Sequence, residues 1–87
     1  MADYEVRTDS RDDNDYGYMW SERTFTIIHL PTNTVVCTLT GRLAEYPPDR
    51  HEQADGYRSV EVDGDDLVLT DWSGTVTREP IANRRRA

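Results

Sequence analysis

The sequence predicts a mainly β protein: a small antiparallel sheet of about five strands, built as a hairpin followed by a meander. Three observations carry that expectation. Short runs rich in β-branched and aromatic residues recur along the chain. Clusters of Gly, Pro, Asn and Asp separate them, and apolar residues within them alternate with a period of two. At 87 residues, 36% of them apolar, the chain has material for one thin core, with surplus polar residues left for loops, tails or an exposed sheet face.

Taken in order, Tyr4 to Thr8 reads as a short strand. The run behind it, with Asp9, Asp12, Asp13 and Asp15, reads as solvated, so residues 1–15 are expected to be an acidic, mobile N-terminal segment. A single antiparallel β domain is expected over 16–81. Tyr16, Tyr18 and Trp20 fall on alternate positions and would line one side of a strand. Thr24 to Leu30 and Val35 to Thr40 flank the turn residues Pro31-Thr32-Asn33-Thr34 and read as a hairpin. Residues 41–56 form a long connection, with one short helical turn at Pro48 to Ala54, where Pro48 suits a first helical position. Tyr57 to Val62, Leu67 to Thr70 and Thr75 to Glu79 make the meander, divided by the turns 63–66 and 71–74. Pro80 ends pairing, and the Arg-rich tail 82–87 is expected to fray.

Pairing these strands through tight turns sets Leu30 opposite Val35, Ile28 opposite Cys37 and Thr26 opposite Leu39. It also sets Val62 opposite Leu67, Val60 opposite Leu69, and Leu69 opposite Val76. One apolar face then carries Ile28, Leu30, Val35, Cys37, Leu39, Val60, Val62, Leu67, Leu69 and Val76. Phe25, Ile27 and Val36 fall on the other side and need a cover: the aromatic segment, the N-terminal strand, or a second copy in a homodimer.

Charge narrows the function classes. Seventeen acids face ten basic residues, all of them Arg, for a net charge of −7. Arg84, Arg85 and Arg86 lie at the end, so residues 1–83 carry 17 acids and 7 Arg, a net of −10. Such a body repels nucleic-acid phosphate and anionic membranes, and its natural electrostatic partner is a basic protein surface. The same acidity also serves solubility. The lone Cys37 lies in an apolar run and reads as a core residue of a reducing compartment. No leader or membrane-length apolar run is evident, so a cytoplasmic location, in a host or an infected cell, is expected.

No catalytic or cofactor motif stands out. His29 and Cys37 fall on opposite faces in the expected register, and His51 stands alone, so no metal site is expected. The 63–66 carboxylates lack the spacing of a calcium loop, Ser73 lacks a nucleophile elbow, and the glycines are too scattered to cradle phosphate. The expectation is a non-enzymatic acidic binding protein without cofactor. It would occupy a basic surface of a nuclease, restriction or CRISPR effector, as an inhibitor of the DNA-mimic, anti-restriction or anti-CRISPR kind. Its candidate contacts are Asp9, Asp12, Asp13, Asp15, Tyr16, Tyr18, Trp20, Asp63, Asp65, Asp66 and Asp71. The alternative is a structural module dimerising through Phe25, Ile27 and Val36. A small-ligand site at the 16–20 aromatics is a third reading.

Overall fold

A computed structural model describes the backbone of residues 3–15, 18–46 and 51–84, and the side chains of these except 13–15, 18, 45–46 and 51–53. Six antiparallel strands follow one another in a single meander: β1 (Tyr4–Asp15), β2 (Tyr18–His29), β3 (Thr34–Tyr46), β4 (His51–Asp63), β5 (Asp66–Asp71) and β6 (Val76–Pro80). A 3₁₀ turn, η1 (Ile81–Arg84), closes the described chain.

The sheet changes partners along β4. Residues His51–Gly56 pair with β3, and from Tyr57 onward β4 pairs with β5. Gly41 and Gly56 stand opposite each other at this switch. A Cβ on Gly41 would overlap the Tyr57 carbonyl oxygen, and one on Gly56 would overlap that of Thr40. Gly56 also has φ 69°, a conformation that side chains disfavour. Two glycines thus let the chains approach closely where β4 leaves β3.

Beyond that crossing, the two parts of the sheet share a core. Phe25, Ile27 and Leu39 from β2 and β3 meet Val60, Leu67 and Leu69 from β4 and β5, and Ile81 of η1 completes the cluster. Tyr4, Val6, Val36, Cys37, Tyr57 and Val62 pack around it. Each fully buried aliphatic or aromatic side chain contributes roughly 1.5–3 kcal/mol relative to exposure. The molecule measures 48 × 24 × 23 Å, because strands of 12 and 13 residues outrun the core. Their far halves form an arm of four strands, in which Ala44 is a buried side chain.

Several expectations change. The sheet has six strands because the Asp-rich run is not outside it: Asp9 to Asp15 pair with Thr24 to Tyr18 of β2. Backbone pairing with β2 supplies the hydrogen bonds that the polar sequence would otherwise take from water. Of the helical turn expected at Pro48 to Ala54, residues 51–54 are strand, paired with β3, and 48–50 lie outside the described residues. The first hairpin closes with His29 opposite Thr34 and Ile28 opposite Val35, and then shifts, so that Ile27 opposes Cys37 and Phe25 opposes Leu39. The extra residue at this bulge is Val36, and it exchanges the faces of everything beyond it. Phe25 and Ile27 are therefore the centre of the chain's own core, 1% and 0% exposed, and Val36 is half-buried against it. Phe25 and Ile27, expected on a possible dimer face, therefore present almost no surface to a second copy. Leu30, Val35 and Val76, expected in the core, are exposed. Val76 turns outward because the β5–β6 turn holds one residue more than expected, placing Thr77 opposite Leu69. Arg84, expected in the frayed tail, is held by Glu79 at 2.6 Å; Arg85 and Arg86 lie outside the described residues.

Candidate functional site

The acidic candidates divide between β1 and the turns of the β4–β5–β6 meander. Asp9 and Asp12 are exposed on β1, which is an edge of the sheet. Asp13 and Asp15 occupy backbone positions opposite Trp20 and Tyr18. Arg7 through Asp12 are exposed without interruption. Tyr4 and Val6 turn toward the core, so Glu5, Arg7, Asp9 and Arg11 share the opposite face. Tyr16 lies outside the described residues.

The second group has structural duties. Asp63 and Asp66 grip Arg78 from both sides, at 2.8 and 3.3 Å. Asp65 is exposed in the turn, and its carbonyl accepts from the Ile81 amide at 2.9 Å. Asp71 organises the β5–β6 turn. One oxygen accepts from the Ser73 hydroxyl at 2.6 Å and amide at 2.9 Å, and from the Thr75 amide at 3.0 Å. The Ser73 hydroxyl, followed by these backbone donors, holds the Asp71 carboxyl below the usual carboxylate range.

Of the expected aromatic stripe, the described side chain is Trp20, whose ring carries a cation. The Arg42 guanidinium lies 5.1 Å from its ring centre and 4.0 Å from Glu22. The Trp20 indole Nε1 is shielded and finds no hydrogen-bond partner among the described residues. Beside this stack, Glu22, Thr24, Thr40, Arg42 and Asp55 line an open groove of about 340 Å³. Arg23 makes a different contact. Its guanidinium lies 5.1 Å from the Trp72 ring and donates to the Arg58 carbonyl at 2.6 Å. The Trp72 indole N–H donates to the Asp55 carbonyl at 3.0 Å. The β5–β6 turn is thereby latched to the base of the arm.

These two Arg–Trp contacts, and the groove, were not legible from the sequence. Each joins residues brought together only by strand register or by the β4 crossing, and no contiguous motif marks them. The paired Gly41 and Gly56 were the available signal, since isolated glycines in β segments mark close backbone approach.

Burial raises the pKa of the Cys37 thiol, with Arg84 lowering it less and Glu79 adding to the rise, so the thiol stays protonated at neutral pH. In the actual register Cys37 and His29 fall on the same side of the hairpin, against expectation. The His29 ring nitrogen Nδ1 is engaged by the Thr32 hydroxyl at 2.7 Å. Among the described residues, no group of three or more His, Cys, Asp and Glu side chains is placed to hold a metal ion. No helix among them is long and apolar enough to cross a membrane. No protein-family model, curated protein or solved structure significantly matches the chain.

Proposed function

We propose that this protein is a non-enzymatic acidic binding protein that covers a basic surface of a nucleic-acid-processing protein, as an inhibitor of the DNA-mimic kind that anti-restriction and anti-CRISPR proteins exemplify. The observation that carries the reading is β1. Its residues 9–15 hold four Asp against one Arg, a net of −3, on a strand at the sheet edge. A strand rises about 3.4 Å per residue and alternates its faces, so acids on one side of β1 recur at multiples of about 7 Å, twice the axial interval of successive phosphates on one strand of B-DNA. Carboxylates fixed on a strand lose less freedom on binding than carboxylates on a loose tail. With Asp63, Asp66 and Asp71 engaged within the chain, the candidate surface centres on Asp9, Asp12, Asp13 and Asp15 of β1, with the exposed Asp65 as the remaining carboxylate of the second group.

The test is capture. The protein is immobilised, nuclease-treated lysate is passed over it, and bound proteins are eluted with rising salt. A basic nucleic-acid-processing protein is expected at moderate salt, and replacing the four β1 aspartates by Asn should weaken its retention at least tenfold, since each neutralised contact removes a salt-dependent increment. Retention unchanged by that replacement would sink the reading.

A further inference from the structure

We infer that β1 is also a self-complementary edge, which joins two copies of this chain in an antiparallel, two-fold symmetric pair centred on Ser10. Among the described residues β1 pairs with β2 alone, which leaves its other side open, and Arg7 through Asp12 are exposed throughout. A bare edge of this kind accepts another strand. Proteins that block such pairing place charges of one sign on the edge, because like charges then meet across it. β1 does something else. On the face away from the core its sequence reads Glu5, Arg7, Asp9, Arg11, with Asp13 and Asp15 at the next register positions, so the sign alternates from Glu5 to Asp13.

Symmetry limits how two copies can pair. In an isologous antiparallel pair, opposed residues share a face, so their numbers must sum to an even value. Centring on Asp9 would oppose Asp9 to itself, Arg7 to Arg11 and Glu5 to Asp13. Every charged pair is then repulsive. Centring on Arg11 would oppose Arg11 to itself and Asp9 to Asp13, leaving Arg7 opposite Asp15 as the attractive pair. Centring on Ser10 instead opposes Asp9 to Arg11 and Arg7 to Asp13, each twice by symmetry, against one repulsive combination, Glu5 with Asp15. Centring on Thr8 also opposes unlike charges, Arg7 to Asp9 and Glu5 to Arg11, but overlaps only residues 4–12 of each strand, whereas the Ser10 register overlaps residues 5–15. Unlike charge and the longer overlap together select the register with the small Ser10 on the axis. The two sheets would then run continuously through the interface.

This pairing rests on the edge alone and stands independently of the basic partner proposed above. The two occupants exclude each other, so a basic protein that takes β1 would separate the copies.

The experiment is sedimentation velocity on the purified chain over a roughly hundredfold concentration series, at low salt and at about 0.5 M salt. A monomer–dimer equilibrium that weakens with salt is expected. Asp9→Arg sets Arg against Arg11 of the second copy and should raise the dissociation constant about tenfold or more. Asp9 faces the neutral Thr24 within the chain, and the far-ultraviolet circular dichroism of this variant should stay unchanged. Adding Arg11→Asp to it restores opposite charges across the axis and should recover the dimer. A chain that stays monomeric throughout the series, or a dimer indifferent to both the single and the double exchange, would overturn the proposal. Lysate capture reads the basic-partner proposal separately, so either can fail without the other.

Discussion

Asp71 shows how one side chain can set a turn and carry a pH dependence. Its carboxylate gathers three donors from Ser73 and Thr75 while remaining open to solvent. Because those donors depress its folded pKa below that of the unfolded chain, the stabilisation is complete above the unfolded value, about 3.9 for Asp. It is lost as pH falls through the lower, folded value. Asp71→Ala should therefore lower the melting temperature at neutral pH, and its melting curve should converge on that of the parent chain below about pH 4. Thermal melts by circular dichroism at a series of pH values check this, and a gap that persists undiminished into the acid range would count against it. The turn residues at 71–74 were readable as a turn. That Asp71 is its organiser, and so withdrawn from any partner, became visible only from the hydrogen bonds.

At the scale of elements, η1 is the smallest and among the most consequential. Pro80 ends β6, the Ile81 amide bonds back to the Asp65 carbonyl, and the Ile81 side chain enters the core with no exposed surface. Glu79 and Arg84, both less than a third exposed, bracket it with a paired hydrogen bond. Ile81→Ala should cost about 2–5 kcal/mol by urea denaturation, the range for a buried aliphatic side chain whose cavity cannot fully collapse. A cost under about 1 kcal/mol would mean that the turn is peripheral to the core. The sequence marked the end of the sheet at Pro80 but gave Ile81 no role, because a single apolar residue has no period.

The hairpins show the same boundary. Their existence followed from turn chemistry and alternation, and the pairing of Val60 with Leu69 and Val62 with Leu67 follows from the short 63–66 turn as expected. The faces of β2 and β3 did not follow, because one bulged residue, Val36, reverses them, and neither Val36 nor its neighbours in sequence announce it. β1 was hidden for another reason. Its far half has no apolar alternation, because its exposed positions carry Asp, Arg and Ser. Strand formation there depends on backbone bonds to β2, a long-range fact that local composition opposes. The acidic residues of the candidate surface were therefore legible as residues, and their fixed arrangement on an edge was not.

For the molecule as a whole, the decisive feature is uneven stability. The core gathers where the two parts of the sheet face each other, near Phe25, Leu39 and Leu67, while the arm carries β1's acids away from it on strands where, among the described residues, Ala44 is the buried apolar side chain. Regions of that kind open locally at less cost than the global unfolding energy. What holds the base of the arm is the latch at Trp72, through the Arg23 guanidinium on its face and the Asp55 carbonyl on its indole N–H. A solvent-accessible cation–π contact and one hydrogen bond are together worth about 1–2 kcal/mol. Trp72→Phe keeps an aromatic face for Arg23 but removes the N–H, whereas Trp72→Ala removes both. Amide hydrogen exchange followed by mass spectrometry should then show faster exchange in the far halves of β2, β3 and β4, with Ala exceeding Phe, while the segment around Ile27 and Leu69 keeps its protection. Uniform acceleration, core included, would make Trp72 an ordinary contributor to global stability. Selective loosening would make the latch the element that presents β1 as a rigid edge, and would tie the precision of any surface built on β1 to a turn three strands away.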